Sequence, residues 1–224
     1  MRKMLICILL CMSSSVLAFA QDFQWAEEAV KYCVDNDILH GMEDGDLALG
    51  ENITNEQTAK ILASTFQQDK IGNTDTDSDI LPERWSYPYI AVFNNYTKKP
   101  IDSKNITNNT TREEFVGALV LSSGLTESSI RNRDILSVNF KDSSKVDKLY
   151  EKLMCIAAER GYMKGADGYL NPNDNITRAE ACSLIYRVIR AKKGEMLDLG
   201  VIKSETPIKS ESKVSLEQAI KWAQ

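Results

Sequence analysis

The feature that most restricts how this chain can fold is that it repeats itself. Written one over the other without a gap, "DGDLALGENITNEQTAKIL" (44–62) and "DGYLNPNDNITRAEACSLI" (167–185) share Asp, Gly, Leu, Asn, Ile and Thr in register. A third version, "NNTTREEFVGALV" (108–120), sets Thr111 and Arg112 over Thr177 and Arg178, although its upstream loop has lost the Asp-Gly turn. Such a period means one small unit used several times, with a core that forms only when copies pack together. A helical pattern precedes each loop. Trp25, Ala29, Val30, Cys33 and Val34 recur at the spacing of one buried helix face, as do Trp85, Tyr89, Ile90 and Phe93. Val146, Leu149, Tyr150, Leu153, Met154 and Ala157 do the same ahead of the last copy. The expected fold is therefore all-α: helix, loop, helix, three times over. Asp- and Ser-rich stretches (69–79 and 126–134) read as the linkers.

The start of the second helix in each copy carries the most chemistry. Thr177 with Glu180, Thr111 with Glu114 and Thr54 with Gln57 all have the spacing of a capping box. The Thr hydroxyl accepts from a backbone N–H of the first turn, and the Glu or Gln reaches back to the cap residue. Each cap is typically worth about 1 kcal/mol. The arginine that follows is not explained this way. A cation near the positive end of a helix is mildly unfavourable, yet Arg112 and Arg178 both stand there, while Asn55 holds the place in the first copy without loss of the cap. Cap and arginine are separable. Two uses remain open for such a guanidinium: binding a carboxylate or other small anion together with free helix N–H groups, or pairing with a carboxylate across the repeat interface.

Composition narrows the classes of partner. The formal charge is −5 at pH 7, and it becomes two units more negative if Arg2 and Lys3 leave with a leader. That balance argues against nucleic acid; an acidic ligand would have to be captured by a few well-placed arginines. Residues 1–20 read as a signal peptide: a basic start, a short apolar run and a small-residue end at Ala18-Phe19-Ala20. No later segment has the length of a membrane-spanning helix, so the mature chain is expected to be exported and not inserted in a membrane. Removal of the leader leaves Cys33, Cys155 and Cys182, an odd set without disulfide-framework or zinc spacing, read as buried small hydrophobes. His40 is the single histidine and reads as a loop residue, which disfavours histidine catalysis and multi-histidine metal sites. Asp75-Thr-Asp77-Ser-Asp79 begins like a calcium loop, but Ile80 stands where its glycine belongs and Ser86 where its bidentate Glu belongs. No cofactor, metal or catalytic residue is expected. The tail (192–224) is polar until Ser215 to Gln218 opens a short helical pattern with Trp222.

At Gly165 to Glu180, and more loosely at Trp25-Ala26, Gly41 to Gly45, Ile53-Thr54, Trp85 and Thr111 to Glu114, the chain resembles the S-layer homology family. That family's repeats run from an aromatic-led helix through a glycine-rich loop to an Ile-Thr-Arg-Ala-Glu helix start. The resemblance divides the chain into repeats at 21–70, 71–130 and 131–191, followed by the tail. It implies a three-pronged helical assembly around a pseudo-threefold axis. It also implies non-covalent attachment of a secreted protein to the bacterial cell wall, through secondary cell-wall polysaccharide that often carries a pyruvyl carboxylate. Arg112 and Arg178 would meet that carboxylate. Trp25, Trp85, Tyr169 and Asp167 could touch sugar, although the spacing or loop position of the aromatic residues suits packing as well. Because one chain supplies three repeats, a monomer is expected. The rival readings are a degenerate repeat scaffold that binds protein at the cell surface and, less favoured, a wall hydrolase. The repeats leave no room for a catalytic domain.

Overall fold

In the computed structural model, residues 23–42, 45–73 and 79–195 are described; the leader, most of the tail and part of the aborted calcium loop lie outside them. The described residues form seven α-helices and no strand pairing beyond isolated bridges. In chain order these are α1 (Glu27–Asp35), α2 (Asn55–Phe66), α3 (Tyr87–Phe93), α4 (Arg112–Ser122), α5 (Ile135–Asn139), α6 (Glu151–Glu159) and α7 (Arg178–Lys192). The all-α expectation holds.

All three capping boxes form. Thr54, Thr111 and Thr177 each accept from the N–H three residues on, and the side chains of Gln57, Glu114 and Glu180 accept from the cap N–H at 2.9–3.0 Å. Just before each cap, the backbone closes a ring through the middle of the molecule. Ile53 N–H donates to Ile176 O (3.0 Å), Ile176 N–H to Thr110 O (3.0 Å), and Thr110 N–H to Ile53 O (2.9 Å). All three residues are buried. The next N–H groups then cross to a neighbouring segment: Asn55 to Asn108 O, Arg112 to Asp174 O and Arg178 to Glu51 O. Those following, on Glu56, Glu113 and Ala179, donate to Ile106 O, Pro172 O and Leu49 O. The donors that a helix start normally leaves open are thus consumed by the loops.

The helices pack across segments in the same cyclic sense. The main pairings are α2 with α3, α4 with α6, and α1 with α7, so a leading helix lies against the trailing helix of the segment before it and the chain's first helix lies against its last. The face that does the packing differs from the expected one. Ala26, Ala29, Val30 and Cys33 are buried on and just before α1, whereas Trp25 is 61 % and Val34 39 % exposed. Trp85 is likewise 50 % exposed while Ile90 and Phe93 are buried, and Leu149 is 46 % exposed above buried Tyr150, Leu153 and Met154. In each segment the residue after the large exposed one (Ala26, Ser86, Tyr150) is the buried one. The leading apolar residue therefore belongs to the surface, because the chain is still in a turn there and has not yet adopted the helix period.

Candidate functional site

The three junctions between segments look alike along the backbone and differ in what their side chains do. The junction at Asn55 is closed. Asn55 Nδ2 donates to Asn105 O (2.9 Å) and its Oδ1 accepts from Thr110 Oγ1 (2.8 Å), which also contacts Thr58 Oγ1 (2.8 Å). Lys99 occupies the nearby capping carboxylate, Glu114, at 2.9 Å. What is left is a cavity of about 20 Å³, with room for little more than a water molecule.

The junction at Arg178 is closed by the arginine itself. Arg178 is 6 % exposed; its Nε donates to Leu47 O (2.7 Å) and its Nη2 to His40 O (2.6 Å). Burial pushes the guanidinium pKa down, opposed in part by Cys182 and Asp46. The resemblance implied a glycan carboxylate for this guanidinium, and the structure gives it backbone partners. Arg178 ties the start of α7 to the loop of the first segment, and both of its bonded nitrogens hold backbone carbonyls. His40 is the loop residue expected, serving through its carbonyl.

The junction at Arg112 is open. A cleft of about 470 Å³, within the size range of small-ligand sites, is lined by Trp25 from the first segment, Arg112 from the second, and the loop 162–166 with Tyr169–Asn171 and the first turns of α7 from the third. Arg112 Nη2 contacts Glu180 Oε1 at 2.7 Å, and its Nε is buried with no hydrogen-bond partner. Glu180 also accepts from Thr177 N (2.9 Å) and Thr177 Oγ1 (3.1 Å). Burial pushes its carboxyl pKa up, but these bonds and the arginine together outweigh burial and hold it below the usual carboxylate range. Lys164 and Arg187, the latter with its Nε on Gly161 O at 2.7 Å, also line the cleft, so three cationic side chains and one carboxylate stand on its walls, although the whole chain is acidic. The arrangement suits a small anion with an apolar face beside it.

The loop that forms one wall explains its own sequence. Ala166 and Tyr169 exchange both backbone hydrogen bonds (2.9 and 2.8 Å) around Asp167-Gly168, which take positive φ values of 51° and 79°. That is the two-residue turn for which Asp-Gly is favoured. Gly165 has φ +68°, and a Cβ there would meet Tyr169 O at 2.5 Å and Phe140 Cε1 at 2.7 Å. Tyr169 stands 41 % exposed with Lys141 Nζ 4.7 Å from its ring centre. Asp167 is exposed, holds Lys141 through its carbonyl (3.3 Å), and is not part of the cleft lining. Trp85 lies elsewhere, 6.5 Å from the Tyr89 ring.

Of the residues singled out from the sequence, Arg112, Trp25 and Tyr169 converge on the cleft with Glu180, whereas Arg178, Trp85 and Asp167 do not. The helix N–H groups expected to share an anion are already bonded. Lys164, Tyr162 and Arg187 had escaped notice. Glu180, Ser183, Leu184 and Arg187 follow helical spacing after the cap, a signal that could have placed Arg187 on the arginine's side.

Residues 139–182 match the family model of the S-layer homology domain, a module that anchors proteins to the cell wall. The match spans α6, the cleft loop and the first turn of α7, and ends before Ser183, Leu184 and Arg187. No curated protein matches the chain. Among the described residues, no helix is long and apolar enough to cross a membrane.

Proposed function

We propose that this protein is a secreted cell-wall attachment module that binds an acidic wall glycan, such as a pyruvylated secondary cell-wall polysaccharide, in the Arg112 cleft. On this reading the chain comprises a leader (1–20), three S-layer homology repeats (21–70, 71–130, 131–191) arranged about a pseudo-threefold axis, and a tail (192–224). It acts as a monomer, needs no cofactor and catalyses no reaction. The observation that carries the reading is the cleft. Three cations and two exposed aromatic rings, Trp25 and Tyr169, line a space of ligand size beside the segment that matches a wall-anchoring domain. A guanidinium with its Nε unbonded can take a carboxylate, and the rings offer apolar faces to a sugar. The closed backbone ring and the cyclic helix pairing support the pseudo-threefold arrangement.

Arg178 has a different part in this reading from the one its motif suggests: it builds the frame, and one cleft works. The closure of the other two junctions favours a second reading, a repeat scaffold that has lost sugar affinity and binds protein at the surface. Co-sedimentation with purified bacterial wall sacculi, before and after acid extraction of secondary polysaccharide, separates the two. Binding that disappears on extraction and on Arg112→Ala substitution is expected. Absence of binding to intact sacculi would leave the scaffold.

A further inference from the structure

Two of the three described cysteines meet across the helix pair that closes the molecule. Cys33 sits in the last turn of α1 and Cys182 in the second turn of α7, and both are buried. Cys33 Sγ lies 3.9 Å from the Cys182 carbonyl oxygen, inside the packing of α1 on α7. The residues are 149 apart in sequence, so spacing along the chain could not reveal the pair. Cys155, on α6, instead directs its Sγ to Arg133 O at 3.5 Å. In the docked pair the Cys33 thiol, and after it the buried Arg178 cation one helical turn away, draw the Cys182 thiol pKa down against burial, while Cys182 and burial push the Cys33 thiol up. The packing thus brings two sulfurs together on facing helices that, among the described residues, have no covalent tie.

We infer that Cys33 and Cys182 form a disulfide that staples α1 to α7 and so joins the first segment to the last. The bond forms by exchange with a disulfide oxidant, of low molecular weight or carried on an oxidoreductase. The Cys182 thiolate attacks one oxidant sulfur, releasing the other as a thiol. The Cys33 thiolate then displaces the remaining half, so two electrons pass to the oxidant and the two cysteine protons end on its two released thiols. Because both sulfurs are shielded from solvent, exchange occurs as α1 docks on α7 during folding, before the pair is sealed. A tie across so long a loop restricts the unfolded chain strongly. It acts at the α1–α7 pairing, beside the Arg178 contacts, whatever the cleft binds.

The test is to unfold the purified full chain, refold it in a buffer of oxidised and reduced glutathione, alkylate the remaining thiols, and map peptides by mass spectrometry. The expected result is a linked peptide pair containing Cys33 and Cys182, two hydrogen atoms lighter than the reduced pair, with Cys155 alkylated. The melting temperature should rise by about 5–15 °C, and dithiothreitol or Cys33→Ser should abolish the rise. Circular dichroism of the reduced chain and of Cys33→Ser establishes that each folds. Alkylation of both Cys33 and Cys182 in refolded, native protein would overturn the inference, as would a linked peptide containing Cys155 in place of either. A Cys33–Cys182 bond that lowers the melting temperature would overturn it equally, because the helices would have had to part to make it.

Discussion

Arg112 and Arg178 occupy the same position after the same cap, yet one lines an open cleft and the other is buried in a closed junction. The difference lies in what each helix start faces. Arg178 meets the loop of the first segment, whose carbonyls at His40 and Leu47 come within 2.6 and 2.7 Å of its nitrogens. Arg112 meets the loop of the third segment, which the tight Asp167-Gly168 turn and the glycine at 165 shape into a cleft wall. There its side chain meets a carboxylate, Glu180. A repeated motif therefore fixes where a side chain starts, and the neighbouring loop decides what it does.

Substituting both arginines sharpens that comparison most. Arg178→Ala leaves two carbonyls without their donor and opens a void, so it should cost about 3 kcal/mol of unfolding free energy in urea titration. Arg112→Ala removes a partly exposed ion pair and should cost less than about 1 kcal/mol, while wall binding falls at least about tenfold. Equal stability losses would erase the distinction between frame and site.

The two Asp-Gly loops make the next contrast. At Gly165, ahead of the turn, an added Cβ meets Tyr169 O at 2.5 Å in a left-handed conformation, whereas at Gly45, the turn glycine that aligns with Gly168, it meets nothing within 4 Å at φ +84°. Gly165→Ala should therefore destabilise by about 3 kcal/mol and distort the cleft, against about 1 kcal/mol for Gly45→Ala. Thermal unfolding of the pair measures the gap. If the two substitutions cost the same, the close approach at Gly165 does not shape the cleft wall.

Caps give a smaller and more even effect. Thr54→Ala and Thr177→Ala should each cost about 1 kcal/mol. Only Thr177→Ala should also weaken wall binding, since it removes the hydroxyl that donates to the Glu180 carboxylate at 3.1 Å and leaves the backbone N–H as the only Thr177 donor to it. Unequal stability losses, or equal binding, would show that the cap and the cleft are not joined through Glu180.

These contrasts trace what sequence can carry. The caps were legible because a capping box is complete within four residues, and the helices because their apolar spacing is local. Arg112, Trp25 and Tyr169 were legible as candidates. What was not legible was the partner of each candidate. Arg178 is buried by carbonyls more than 130 residues away, and backbone carbonyls leave no side-chain signature. The meeting of Cys33 and Cys182, 149 residues apart, was illegible for the same reason of distance. Trp25 and Val34 fitted a helical face, but spacing alone does not separate the turn before a helix, or its last residue, from the buried stripe.

The smallest effect concerns two glutamates at the second position of their helices. Glu56 is gripped by Arg84 Nε and Nη2 at 2.9 and 3.0 Å and by Ser86 Oγ at 2.8 Å. Glu113, equally buried, has the Asp147 N–H at 2.9 Å and no ion-pair partner among the described residues. Burial pushes the Glu113 carboxyl pKa up, the Asp147 N–H opposes this, and Asp147 and Glu114 add to it. An acid whose folded pKa is raised binds its proton more tightly in the native state. Its contribution to stability is present below the unfolded pKa and is lost as pH rises through the folded one. Glu113→Gln keeps a carbonyl oxygen for the Asp147 N–H and removes the charge, so at neutral pH it should stabilise the protein by under about 1 kcal/mol. The gain should vanish near pH 4, where the native glutamate already holds its proton. Glu56→Gln should destabilise at neutral pH instead, because it strands Arg84. Urea titrations at the two pH values read both signs, and a loss from Glu113→Gln at neutral pH would mean that Glu113 is held by its surroundings as firmly as Glu56.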